Sequence, residues 1–236
     1  MTAPPRTVLF DLDGTLIDSE SLILHSYRHT MREHLGRELP DARWLETMGQ
    51  PLEAQLLDFA RDAGEAEAML ATYLEHNEAI HDELLRPFPG VRDYVAGLAG
   101  RGVRLGIVTS KRRRNALRGL EVCGFELTWF AAVVTATDVE RHKPDPEPVV
   151  RALDEAGEGE PGRALFVGDS VHDLRAGRAA GTRTGAALWG PYDRPTLAPG
   201  EPDLWLEAIF ELDRVLAGTE GGEPGRDPAR GAGAGE

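Results

Sequence analysis

Asp11 and Asp13 stand two residues apart in VLFDLDGT, at the end of an apolar run and directly before Gly14. Residues two apart in an extended chain point to the same side, so both carboxylates can meet one ligand. Gly14 then lets the backbone turn sharply. One such carboxylate can attack phosphorus, while the other hands a proton to the leaving oxygen and later takes one from water. That division asks for unlike environments, with Asp11 ionised on a metal and Asp13 holding a raised pKa. Thr109 and Ser110 close a second apolar run, where a hydroxyl and free backbone N–H groups at a helix start suit a phosphate oxygen. Lys143, in RHKPDPEP, is one of two lysines in the chain, the other being Lys111. Followed by proline it lies in a restricted loop, and it can neutralise a phosphoryl oxygen together with the attacking carboxylate. A fourth run ends in Gly168-Asp169-Ser170, with Asp173 four residues beyond Asp169. A helix starting here sets both acids on one face. Oxygen ligands of this kind fit Mg²⁺, and the scarcity of Cys and His among them disfavours zinc.

These side chains need a scaffold that gathers strand ends. Five apolar runs read as buried strands: 8–14, 103–110, 130–136, 164–170 and 183–189. Segments at helical spacing separate them, at 90–102, 115–124, 144–157 and 173–181. The alternation predicts an α/β doubly wound, mainly parallel sheet, with ligands at the carboxyl ends of the strands. Residues 18–87 break the pattern, because they follow the first strand yet read as three or four amphipathic helices, among them 21–36, 52–64 and 66–85. They predict a helical insertion with hinges near 16–20 and 86–89, the second punctuated by Pro87 and Pro89. The core then comprises 1–17 and 88–217. The tail, 218–236, is rich in Gly, Pro and charge and reads as disordered.

The chain has 236 residues and a formal net charge of −14. An acidic surface repels nucleic acid, so neither DNA nor RNA is expected as a partner. No apolar run is long enough to span a membrane, and the start, MTAPPRTVLFDLDG, lacks the apolar core of a secretion signal. A lone cysteine, Cys123, reads as a packed thiol, and the whole suggests a cytoplasmic protein.

FDLDGTLIDSE, IVTSK, HKPDPEP and VGDSVHD resemble motifs one to four of the haloacid dehalogenase (HAD) superfamily, and the likeness runs to about residue 217. The resemblance implies a three-layer Rossmann-like core with the first motif strand central, and a C1 cap formed by the insertion. It also implies a phosphohydrolase with Mg²⁺ as cofactor. Asp11 would form the aspartyl-phosphate and ligate the metal. Asp13 would act as general acid/base and bind metal through its carbonyl. Thr109 and Ser110 would hold the phosphoryl group, Lys143 would stabilise its charge, and Asp169 and Asp173 would complete the metal site. Within the superfamily the chain most resembles a pyrophosphatase and phosphoglycolate phosphatase-like group, through LFDLDGTLIDSESLILHSYRHTM, NEAIHDELL and VVTATDVERHKPDPEP, and departs from it between about Leu39 and Ala71. Pyrophosphate or 2-phosphoglycolate is then the expected substrate, and monomer or dimer the expected state. A mutase of the β-phosphoglucomutase type, a sugar-phosphate phosphatase and a catalytically silent partner module are the alternatives. Asp13 argues against a dehalogenase, and the absence of lysine from 18–87 argues against a Schiff-base phosphonatase. On the cap, His25, Arg28 and His29 can share a helical face, and Gln50 lies in a loop; His25, Arg28 and Gln50 are the candidates for substrate contact.

Overall fold

The computed structural model describes residues 3–47 and 50–219. Six parallel strands form the main sheet, in the order β5-β4-β1-β6-β7-β8. They are β1 (Thr7–Phe10), β4 (Arg104–Val108), β5 (Ala132–Val134), β6 (Ala164–Gly168), β7 (Arg183–Ala187) and β8 (Leu204–Leu206). The last of these was not apparent in the sequence, because LWL is three residues long and sits between acidic and proline-rich neighbours. Alternate residues of the central strand β1 face opposite layers. Val8 and Phe10 pack under α5 (Val91–Gly100), α6 (Arg113–Val122) and the C-terminal helix Leu212–Leu216. Leu9 packs with Phe166 under α7 (Glu147–Glu155) and α8 (Val171–Ala179). The result is the expected three-layer α/β fold, with helices covering both faces of a parallel sheet.

The chain leaves the core through β2 (Ile17–Asp18) and returns through β3 (Arg86–Pro87), and these two short strands pair antiparallel. Between them lie α1 (Glu20–Leu35), α2 (Ala42–Leu45), α3 (Leu52–Leu57) and α4 (Ala63–Leu84). They bury an apolar cluster of their own, built on Leu24, Tyr27, Met31, Trp44, Leu56, Met69 and Tyr73. The continuous helix expected over 52–64 is divided. Asp62 breaks it by adopting an extended backbone and accepting a hydrogen bond from the Glu65 N–H, which caps α4. Cys123 is buried, and burial pushes its thiol up to about 11, as a packed thiol requires. Among the described residues no helix is long and apolar enough to cross a membrane. The tail expected to be disordered lies, from residue 220 onward, outside the described residues.

Candidate active site

Parallel pairing in register brings the strand ends level. Phe10 sits opposite Ile107 on one side and Val167 on the other, so Asp11, Val108 and Gly168 emerge together. The Asp11 N–H still donates to the Val167 carbonyl at 2.9 Å, and the Thr109 N–H to that of Val134 at 2.9 Å, which fixes both residues at the sheet rim. Lys143, in the loop after β5, comes over this rim. Its Nζ lies 2.5 Å from Asp173 Oδ1 and 3.0 Å from Asp11 Oδ1, and it donates to the Val108 carbonyl at 3.3 Å. Asp11, Lys143, Asp169 and Asp173 are all almost fully buried.

Asp169 and Asp173 do not share a helical face as the spacing suggested. The helix α8 begins only at Val171, with Ser170 as its N-cap, so Asp169 still belongs to the strand end. Asp173 instead closes a capping box, in which its Oδ2 accepts from the Ser170 N–H at 3.0 Å and from Ser170 Oγ at 2.5 Å. Asp173 thus directs one oxygen to the cap and the other to Lys143. Asp169 accepts from Thr15 Oγ1 at 3.1 Å. Gly14 makes this approach feasible, since its φ of 76° suits only glycine and a Cβ there would fall on the Asp169 carboxylate.

Asp11, Asp169 and Asp173 each offer a carboxylate oxygen, and these lie within 4.8 Å of one another. Burial, then the charge of Asp173, raises Asp11 to about 7 in spite of Lys143. Burial, then the charges of Asp11 and Asp173, holds Asp169 well above the usual carboxylate range. Burial works against the charge on Lys143, yet Asp11 and Asp173 hold it protonated above the ordinary lysine value. Asp11 Oδ1 is buried and has the ion pair to Lys143 but no aligned hydrogen bond. Three buried acids around one ammonium, all oxygen donors, fit a hard divalent cation, which would relieve their repulsion.

Above the rim opens a cleft lined from both the sheet rim and the helical insertion. Its floor holds Asp11, Asp13, Thr109, Ser110 and Asp169, so these sequence-derived candidates are brought together, with Lys143 and Asp173 just behind them. Asp13 pairs with Lys111, whose Nζ lies 2.8 Å from Asp13 Oδ1. Of the cap candidates only Gln50 reaches the cleft. His25 is exposed, and Arg28 is held by Asp41 at 2.5 and 2.9 Å. The reason is the pitch of α1: Leu24, Tyr27 and Met31 turn into the cap core and Ile23 toward the cleft, which leaves His25 and Arg28 on other faces. His29 stacks on His76 instead, with ring centroids 4.0 Å apart.

The cleft is also lined by Lys111, Arg112, Trp44 and Tyr73, which the sequence did not mark as site residues. The two aromatics do pack, with ring centroids 5.6 Å apart, but they also line the cleft. Only the position of Lys111 one residue after Ser110, in a loop expected to face a phosphate, could have marked it. Ion pairs join the helical insertion to α6 and the loop before it: Arg112 with Glu53, which both line the cleft, and, away from it, Arg114 with Glu78 and Arg118 with Glu78 and Asp82. The Tyr192 hydroxyl of the core adds a hydrogen bond to the Leu45 carbonyl of α2.

A family model described as haloacid dehalogenase-like hydrolase matches residues 8–187. The chain is 38% identical over 214 residues to the pyrophosphatase PpaX of Anoxybacillus flavithermus, covering 91% of this chain and 98% of that protein. It is 37% identical over 211 residues to the PpaX of Oceanobacillus iheyensis, covering 89% and 96% respectively. A solved Lactobacillus plantarum structure assigned as a phosphoglycolate phosphatase superposes with a TM-score of 0.79 at 27% identity, over 90% of this chain and all of that one.

Proposed function

This chain belongs to the haloacid dehalogenase-like hydrolase family and is a phosphatase, and we propose that it hydrolyses a small phosphorylated metabolite through an aspartyl-phosphate on Asp11, with Mg²⁺ as its metal. The observation that carries this reading is the meeting of Asp11 with Lys143, 3.0 Å away, at the floor of a cleft that also holds Asp13. In the first step an oxygen of Asp11 bonds to phosphorus in line with the leaving group, the bond from phosphorus to the leaving oxygen breaks, and Asp13 gives that oxygen its proton. In the second, a water oxygen attacks phosphorus, Asp13 takes the water's proton, and the bond to Asp11 breaks. Lys143 holds positive charge beside the equatorial oxygens in both steps, and Asp173 fixes the ammonium there. Thr109 and the N–H groups of its loop receive the phosphoryl oxygens.

Asp11, the Asp13 carbonyl and Asp169 would hold the metal, with Asp173 supporting from behind Lys143. When bound, the cation supplies charge that lets Asp11 stay ionised and steadies the transferring group. We take residues 1–17 and 88–217 as the catalytic core and 18–87 as a cap that swings on the β2–β3 ribbon to admit substrate. The names of the relatives make pyrophosphate and 2-phosphoglycolate the first reference substrates. The test is phosphate release in Mg²⁺ by Asp11→Asn. Loss of at least ~10³-fold is expected, and substantial residual turnover refutes the mechanism.

A further inference from the structure

The leaving group must occupy the part of the cleft between the rim and the cap, and this wall has a definite chemistry. From the cap come Ile23, Trp44, Leu52, Tyr73 and Leu74, together with the carboxamides of Gln50, Gln55 and Asn77. Among the described residues the cap gives the cleft no Lys, Arg or His, and its single charged contribution is an acid, Glu53. The cations that line the cleft, Lys111 and Arg112, both come from the core side, and each is already paired with a carboxylate, Asp13 and Glu53 respectively. Trp44 is buried in this wall, and its indole N–H has no acceptor among the described residues.

A second phosphate would arrive here with charge of about −2 and meet the edges of packed aromatic rings, aliphatic side chains and Glu53. Desolvating such an anion without a dedicated cation is unfavourable. Apolar ring edges, aliphatic side chains and carboxamides suit the opposite kind of group, one that is uncharged, partly apolar and able to form a few hydrogen bonds. Building on the phosphatase reading above, we propose that the substrate is an organic phosphate monoester with an uncharged, ring-bearing leaving group, and that pyrophosphate is a poor substrate. The reaction is the two-step transfer already described, yielding the alcohol or phenol and inorganic phosphate. The specificity-determining wall is the face formed by Trp44, Tyr73 and Leu74, with Gln50 at its edge.

The experiment compares kcat/KM of the full chain in Mg²⁺ for phenyl phosphate, benzyl phosphate, 2-phosphoglycolate and pyrophosphate, in the wild type, in Gln50→Lys and in Asp11→Asn. Gln50 is half-buried in a loop, so the lysine can be accommodated without disturbing the core. The two ring-bearing esters are expected to exceed pyrophosphate and 2-phosphoglycolate by at least tenfold in the wild type. Gln50→Lys is expected to narrow that gap by at least fivefold by lowering KM for the two anionic leaving groups. A wild type that prefers pyrophosphate or 2-phosphoglycolate, or a gap unmoved by Gln50→Lys, overturns the substrate class and leaves the phosphatase reading intact. Turnover retained by Asp11→Asn overturns the mechanism whatever the ranking.

Discussion

Replacing Lys143 by methionine keeps the length of the side chain and removes its charge. The ammonium is 3% exposed and sits between Asp173 at 2.5 Å and Asp11 at 3.0 Å. Removing one partner of a buried ion pair costs about 3–5 kcal/mol, because the remaining charge is left uncompensated. For a chain of this size each kcal/mol moves Tm by roughly 2–4 °C, so Lys143→Met is expected to melt about 6–20 °C below the wild type at pH 8 without metal. Circular dichroism read on heating measures this directly. Acid supplies the internal control: protons can neutralise Asp11 and Asp169, both raised by burial, where the ammonium no longer compensates them, so the deficit should shrink by at least half at pH 5. Saturating Mg²⁺ should also narrow it, since a cation bound by Asp11 and Asp169 offsets the same charge. Phosphate release should fall by about 10²–10³-fold or more, in kcat rather than KM, because the lost charge acts on the transition state. A Tm within 2 °C of wild type at pH 8 would refute the argument that Lys143 compensates this cluster, and a Tm deficit independent of pH would assign its effect to packing.

The pH dependence of the metal-free protein follows from Asp11, which is raised from 3.8 to about 7. A carboxyl raised on folding contributes stability that is complete below about pH 4 and lost as pH rises through about 7, on the order of 4 kcal/mol in all. Asp11→Asn lacks this dependence, so without metal its Tm advantage over wild type should grow between pH 5 and pH 8; parallel melting curves would contradict it. The core–cap ion pairs are exposed and worth at most ~1 kcal/mol each. Glu53→Gln combined with Glu78→Gln removes three of them and is expected to lower kcat/KM about 3–10-fold and flatten its dependence on salt, with Tm within 2 °C of wild type. In Gly168→Ala the new Cβ meets the Asp173 carboxylate, with Cγ only 2.6 Å away. A loss of roughly 1–3 kcal/mol and weaker stabilisation by Mg²⁺ should follow, both read from Tm in a metal titration.

The core could be read from the sequence because each of its signals is local. VLF, RLGIV and ALFVG are apolar on every residue, as strands covered on both faces must be, and the polar residue that ends each run has nowhere to go except the rim. The cap resisted because its functional face depends on packing. Polarity drew attention to His25 and Arg28 on α1, but the helix buries its Tyr27 side, and the nearest acid to Arg28, Asp41, is on a neighbouring segment. Trp44 and Tyr73 belong to the packed cluster of the insertion, yet one edge of a packed aromatic can still line a cleft. The relation of Lys111 to Asp13 joins positions 98 apart and has no signature in either segment.

Glycine explains how so much charge fits in so little space. Gly14, Gly168 and Gly190 surround the acids, and a Cβ on any of them would strike a carboxylate side chain: Asp169 for Gly14 and Gly190, Asp173 for Gly168. The acids are therefore pressed against backbone, where N–H groups and Thr15 can approach them, and side-chain bulk is excluded. Burial and mutual repulsion then raise Asp11 and Asp169 above the usual carboxylate range. A site that could relax would lower its own repulsion and bind a cation weakly. One held rigid by backbone contact keeps the repulsion and converts its relief into affinity for the ion. The cap carries none of this constraint. Its wall of aromatic and carboxamide groups can change in composition without disturbing the acids, so the chemistry at Asp11 and the choice of leaving group are physically separable in this chain.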